Sequence, residues 1–276
     1  MKHVLNILAF NTCFNGSDVD ENRHFIQGEV VAHRQILFLI SIYLYLTHQK
    51  LFDFSILIPL GIMFIVGVYD DFYNADFKLK FLLQIVVAKI LIDQGFIIDH
   101  FHGVLGLQEI PRIASQVFTV FVFLVIVNAM NFIDGVDGMA ITETAKVILL
   151  VEFFSIIDTP IYSLGILVVL SCLPLYYLNF KKENKVFLGD AGSLLLGTLI
   201  AIYLFHVLGL DYTLKEPYQM NRPLLTMSLI IYPLADLLRV FIIRISNKKS
   251  PFSPDQNHIH HLLLKKGYSH FSVVLI

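Results

Sequence analysis

Three stretches of this sequence, residues 113–133, 159–180 and 191–210, each run for some twenty residues without a single Asp, Glu, Lys or Arg. About 20 apolar residues in a helix cover the roughly 30 Å of hydrocarbon in a bilayer. The chain is therefore expected to cross a membrane several times. Composition agrees: 56% of the 276 residues are hydrophobic, 15% are charged and the mean hydropathy is +0.71, against about 45–50% apolar and about 25% charged in a soluble domain. A net charge of −2 with no dense basic run offers no groove for a phosphate backbone, so no nucleic-acid partner is expected. Cys13 and Cys172 have no disulfide or metal-ligand spacing. Residues 1–14 are broken by Asn6 and Asn11 and lack a small-residue cleavage site, which is unlike a signal peptide.

Apolar runs between polar breaks predict eight helices, at residues 35–47, 52–69, 79–98, 113–130, 139–157, 160–180, 192–210 and 223–245. The fold class is an all-α polytopic transmembrane helical bundle, one integral-membrane domain over residues 1–276 with an atypical segment at 1–34. Loops separated by an even number of crossings share one side. Segments 18–34, 70–80, 131–138, 181–190 and 244–269 carry twelve Lys and Arg, whereas the opposite loops carry Lys50, Arg112, Lys215 and Arg222. The positive-inside rule makes the richer side cytoplasmic.

Charges within the spans are candidates for function, but most have an opposite charge on the same helix face. Lys89 with Asp93 is spaced i,i+4, and Glu143 with Lys146 and Asp236 with Arg239 are spaced i,i+3. These read as local neutralisation. Glu152 has no such partner in sequence.

Four polar motifs fall on the expected cytoplasmic side. Asp70-Asp71 places two carboxylates side by side, which calls for a cation or marks a hydrated helix end. Asn128-Ala-Met-Asn131-Phe-Ile-Asp134-Gly135-Val-Asp137-Gly138 packs two Asp-Gly steps behind an uncharged span, more than a plain loop needs. Phe187-Leu-Gly189-Asp190-Ala-Gly192-Ser193 opens a span with a Gly-rich helix start. Free N–H groups there could receive a phosphate, with Asp190 as metal ligand, and Asp190 could equally cap the helix. Asp255-Gln-Asn257-His258-Ile-His260-His261 gathers three imidazoles beside Lys248, Lys249, Lys265 and Lys266. No Cys or Glu stands at a zinc spacing, so donors for a diphosphate fit better. Carboxylates, histidines and Gly-rich turns on one face point to a metal and an anionic substrate.

Taken in order, these four motifs resemble the polyprenyl-phosphate N-acetylhexosamine-1-phosphate transferases, over about residue 28 to the C-terminus. The His-Ile-His-His form with a preceding Asp is similar to the GlcNAc-1-phosphate branch. The resemblance implies transfer of a sugar-1-phosphate from a UDP-N-acetylhexosamine to undecaprenyl phosphate, releasing UMP, with Mg2+ or Mn2+. It implies a multi-pass protein of the bacterial inner membrane with a cytoplasmic active site, at the first membrane step of envelope polysaccharide synthesis. It casts Asp70 and Asp71 as catalytic, Asp190 with Asp71 as metal ligands, and Asn128, Asn131, Asp134, Asp137, Phe187, His258, His260 and His261 as substrate-binding. Phe187 would stack on the uracil. The sequence departs from the family at 28–35, Gly-Glu-Val-Val-Ala-His-Arg-Gln, which lacks a Pro-Arg-x-Gly-Gly-like stretch. A full N-terminal span and further spans after the histidines are also expected of the family, so the chain reads as shortened at both ends. Three alternatives remain at this point: an inactive truncated homologue, an intramembrane aspartyl protease built on Asp70 and Asp190, and a transporter.

Overall fold

The computed structural model describes residues 53–181, 186–218, 220–248 and 258–275. The expected span at 35–47, the segments 1–14 and 28–35, Cys13 and Asp255 lie outside the described residues. Among the described residues ten α-helices follow one another: α1 Leu57–Tyr73, α2 Phe77–Asp93, α3 Arg112–Ile133, α4 Met139–Phe154, α5 Tyr162–Asn179, α6 Gly189–Leu208, α7 Arg222–Leu229, α8 Ile231–Ser246, α9 Ile259–Lys265 and α10 His270–Leu275. Among the described residues β-structure is limited to two isolated bridges, 100 with 109 and 155 with 214.

The protein is an all-α, polytopic membrane protein. Among the described residues four helices are long and apolar enough to cross: Phe54–Tyr73, Arg112–Ile133, Tyr162–Asn179 and Gly189–Leu208. A fifth results if α7 and α8, bent by 71° at their junction, form one broken span. The break has a covalent cause. Pro233 has no N–H, and its ring conflicts with the carbonyl four residues back, at Leu229, where α7 ends. Helices α2 and α4 have 17 and 16 residues, shorter than the runs 79–98 and 139–157 suggest.

Helix α6 is the axis of the bundle. Of its span 83% is buried, against 28–39% for the other three, and it packs against α1, α3, α4 and α7. A helix apolar on every side belongs inside, and the helices around it turn apolar faces outward. On α3 the exposed residues Ile113, Val117 and Phe121 recur every fourth position, the stripe expected of a lipid-facing surface.

Both ends of α6 are tied by charged or polar side chains from elsewhere. At its start, Asp71 accepts from the backbone N–H of Asp190 at 2.8 Å and of Ala191 at 3.0 Å. At its end, His102 Nε2–H donates to the Leu208 carbonyl at 2.7 Å, and Arg222 donates to the Gly209 carbonyl. Anions at helix starts and cations at helix ends satisfy free backbone groups and oppose the helix dipole. Lys89 pairs with Asp93 and Lys146 with Glu143, as their spacings suggest. Glu152 is engaged by Thr159, whose backbone N–H and hydroxyl both donate to it, so it fastens the connection between α4 and α5.

Gly67 sets how closely α1 approaches α6. A Cβ there would overlap the backbone of Ala191 and the Asp190 carbonyl, so the two helices cross backbone to backbone. Asp71 lies one turn further along α1, which is why it reaches the first N–H groups of α6. Gly67→Ala is expected to force the helices apart, at about 1–3 kcal/mol for overpacking. Gly61→Ala, on the same helix with nothing within 4 Å, should be neutral or slightly stabilising through helix propensity. Thermal melting of the two variants in detergent checks this, and equal melting temperatures would refute the close crossing.

Candidate active site

The polar ends of α1, α2, α3 and α6 meet at one end of the bundle. Asn74, in a left-handed conformation (φ 49°), closes α1, and Asp76 starts α2 by accepting from the Lys78 N–H. This tight turn is itself held by Asp70, whose Oδ1 accepts from the Ala75 N–H at 2.8 Å. Lys80, one turn into α2, is thereby directed back across the end of α1.

Its ammonium is the centre of the cluster. Lys80 Nζ lies 2.5 Å from Asp70 Oδ2 and 2.6 Å from Asp190 Oδ2. The second oxygen of Asp190 accepts from Asn131 Nδ2 at 2.9 Å, and Asn131 Nδ2 also lies 2.9 Å from Ser193 Oγ. Residues from the first three motifs are thus joined by hydrogen bonds around one cation supplied by the chain. Like charges gather only where something compensates them, and here Lys80 does so.

Asp71 takes a different place. Both its oxygens are occupied by the N–H groups at the start of α6. Those are the groups that the Gly-rich helix start was expected to offer to a phosphate, so that expectation is corrected. Asn128 also sits apart, one turn deeper in the bundle, where its amide donates to Gln84 Oε1 at 2.8 Å and to the Leu124 carbonyl at 2.7 Å.

Asp134 caps the end of α3. Burial, reinforced by the charges of Asp190, Asp71 and Asp137, pushes its pKa well above the ordinary carboxylate range. Asp137 pairs with His270 Nδ1 at 2.8 Å, which ties α10 to this turn. Next to Asp134, Gly135 leaves room for the histidine segment: a Cβ there would stand 3.1 Å from His260 Nε2 and 3.4 Å from His261 Cε1. The second and fourth motifs therefore meet through these rings.

The three imidazoles form one group, with ring centroids of 258 and 260 at 5.3 Å and of 260 and 261 at 4.3 Å. His260 is fully buried and neither ring nitrogen has a hydrogen-bond partner. Burial, with the neighbouring His261, pushes its pKa down to about 4, so the ring is neutral at pH 7. Asp236 holds this segment, accepting from His258 Nδ1 and from the Ile259 N–H at 2.7 Å each. The expected pairing of Asp236 with Arg239 along α8 is thereby replaced by a contact across the fold. Phe187 projects from the loop before α6 with 51% of its surface exposed.

The comparisons with known proteins bear on this arrangement directly. A family model described as glycosyl transferase family 4 matches residues 54–207, which contain the whole Asp70, Lys80, Asn131 and Asp190 cluster. The chain belongs to glycosyl transferase family 4. It is 32% identical over 229 residues to the decaprenyl-phosphate N-acetylglucosaminephosphotransferase of Mycobacterium leprae, covering 76% of this chain and 57% of that relative. It is 27% identical over 241 residues to the undecaprenyl-phosphate alpha-N-acetylglucosaminyl 1-phosphate transferase of Escherichia coli, covering 82% of this chain and 60% of that relative. The chain thus spans somewhat under two thirds of these relatives' length. Membership of family 4 sets aside the aspartyl-protease and transporter readings.

The donor set of this family-4 chain suits a hard divalent cation of the kind that Mg2+ represents. Mg2+ is usually bound through one or two carboxylates plus substrate phosphates and water. Asp70 and Asp190 each aim one oxygen at the Lys80 ammonium, and each keeps lone pairs beyond those used by Lys80, Asn131 and the Ala75 N–H. Among the described residues no three His, Cys, Asp or Glu side chains form a metal-holding group. Asp71, the other expected ligand, turns its oxygens to the N–H groups of Asp190 and Ala191.

Two members of the site, Lys80 and Asp236, escape a motif-based reading. Lys80 is counted as one of the twelve charges that set topology, and Asp236 has a nearby Arg at helix spacing. Only the fold shows what each of them faces.

Proposed function

We propose that the chain transfers an N-acetylhexosamine 1-phosphate, in the first instance N-acetylglucosamine 1-phosphate, from its UDP derivative to undecaprenyl phosphate and releases UMP. The observation that carries this reading is the convergence of Asp70, Lys80, Asn131 and Asp190 at one end of an apolar bundle. An anionic lipid headgroup and a water-soluble nucleotide can meet at such a place. The names borne by the two family-4 relatives support the choice of substrates.

In this reaction an oxygen of the lipid phosphate attacks the sugar-bearing phosphorus of the UDP-sugar. A new P–O bond forms there, the pyrophosphate bond to the uridine side breaks, and UMP leaves with the electron pair. A divalent ion, Mg2+ or Mn2+, held by Asp190 and Asp70, would neutralise phosphate oxygens as charge shifts during displacement. Lys80 supplies a fixed positive charge within reach of both carboxylates, where it can pair with an incoming phosphate oxygen. Asp70 can take the proton from a lipid phosphate that still carries one. Asn131 keeps Asp190 oriented through its amide, and Asp134, Asp137 and Phe187 border the space on the nucleotide side. The histidine segment, packed against Gly135, offers imidazole donors to the diphosphate. The site faces the cytoplasm of a bacterial inner membrane in this reading, which rests on the twelve-to-four distribution of Lys and Arg.

The test is UMP release by the detergent-solubilised chain supplied with UDP-N-acetylglucosamine and undecaprenyl phosphate. Release should require the lipid phosphate and should stop on chelation by EDTA. No release under saturating lipid and Mg2+ would favour the inactive-homologue reading, and release without lipid would point to simple hydrolysis.

A further inference from the structure

Asp236 is fully buried and His258 is 4% exposed, and the contact between them is not explained by helix spacing or by any of the four motifs. Helix α9 begins with His258 as its N-cap, yet the His258 side chain makes no capping bond to its own helix. The acceptor comes instead from Asp236 on α8, whose Oδ1 takes the Ile259 N–H while Oδ2 takes His258 Nδ1. One carboxylate thus fixes both the backbone start of the histidine segment and the orientation of its first ring. Phe132 of α3 confines that ring from one side, at 5.6 Å between centroids, and His260 lies nearly parallel to it, at 8° between planes. His258, His260 and Gly135 are therefore positioned as a unit.

We propose that Asp236 is a positioning residue for the transfer reaction: by bonding Nδ1 it holds the proton of His258 on that nitrogen, leaving Nε2 as the one ring atom free to engage the substrate. A carboxylate is an acceptor only, so the nitrogen facing it must carry the hydrogen. Partners on the far nitrogen fix the tautomer and aim of a working imidazole. The functional part of the proposal rests on the sugar-phosphate transfer reading above; the tautomer part does not.

Asp236→Asn is the informative substitution. Its amide oxygen must face the Ile259 N–H, because the NH2 group there would set donor against donor. The NH2 group then faces His258 Nδ1, which has to become an acceptor, and the ring proton moves to Nε2. Nitrogen-15 NMR of the histidine-labelled chain in detergent, with His258 assigned by its loss in His258→Gln, should show Nδ1 protonated in the parent. In Asp236→Asn the proton should appear on Nε2. In the transfer assay the KM for UDP-N-acetylglucosamine should rise on the order of 10-fold, the lower end of the loss seen when the partner behind a metal-ligating His is removed, with kcat changing less. On a His258→Ala background the same substitution should add nothing, since the two act as one unit. A parent ring protonated on Nε2 alone would overturn the proposal, as would an unchanged KM in a folded Asp236→Asn variant. If Asp236→Asn does not fold, the parent spectrum decides by itself. An inactive parent would count against the transfer reading, while the tautomer result would still decide the role of Asp236.

Discussion

Asp190→Asn is expected to leave the protein inserted and folded while lowering UMP release by at least about 100-fold. Removing one well-placed electrostatic group costs on the order of 10²- to 10³-fold, and weakening the hold on a divalent ion adds to that. The fold should survive because the bonds around residue 190 can be rearranged. Its backbone N–H stays on Asp71. The new amide can turn its oxygen toward Lys80 and its NH2 toward Asn131, whose own amide flips to present an oxygen while Ser193 donates to it. What disappears is one full negative charge at the point where Asp70 and Asp190 converge. Asp93→Asn is the matching control: Asp93 ends α2, paired with Lys89 on an exposed face, whereas Lys80 near the start of that helix reaches the site. Both variants are compared at saturating Mg2+, with yield and thermal melting measured in parallel. Near-normal turnover in Asp190→Asn would remove the role assigned to its carboxylate.

What the sequence reveals here depends on how local each feature is. The uncharged runs that became α3, α5 and α6 announce themselves, because spanning a bilayer constrains every residue within them. Helices α2 and α4 look similar in sequence but are shorter in the structure, since apolar content does not fix where a helix stops. Asp70, Asn131 and Asp190 could be assigned to one face by counting crossings, and they are indeed bonded around one ammonium. Asn128 is drawn in by its place in the same motif, yet three residues of helix put it a turn deeper, against Gln84. Lys80 is invisible for the opposite reason: a lysine near a helix start looks like any other topology-setting charge. Gly67 has no local signature, because its use is to admit the backbone of a helix more than a hundred positions later. Asp236 is misread because an i,i+3 Arg is the nearest partner in sequence but not in space. Contacts within a helix turn can be inferred from spacing; contacts across the bundle need the fold.

The second large effect is expected at Lys80. Its side chain is 13% exposed and its two partners are 14% and 33% exposed, so water screens this group only in part. Lys80→Met keeps most of the aliphatic stem and removes the charge, leaving Asp70 and Asp190 facing each other without a cation. Breaking a buried ion pair from one side costs roughly 3–5 kcal/mol, and the exposure of Asp190 places the expected loss toward the lower end. Without added metal the variant should therefore melt well below the parent. If Asp70 and Asp190 hold a divalent ion, millimolar Mg2+ should restore much of the lost stability, because the ion supplies the positive charge that the methionine lacks. The parent, already compensated by its own ammonium, should respond to Mg2+ less. Ca2+ is the natural comparison, since it prefers more oxygen ligands than two carboxylates offer and should restore less. Melting curves of both proteins in detergent, with EDTA, Mg2+ or Ca2+, carry the test. A Lys80→Met variant as stable as the parent in EDTA would show that Lys80 does not compensate the carboxylates. An unstable variant that Mg2+ fails to rescue would keep that role for Lys80 and count against Asp70 and Asp190 as a metal-binding pair.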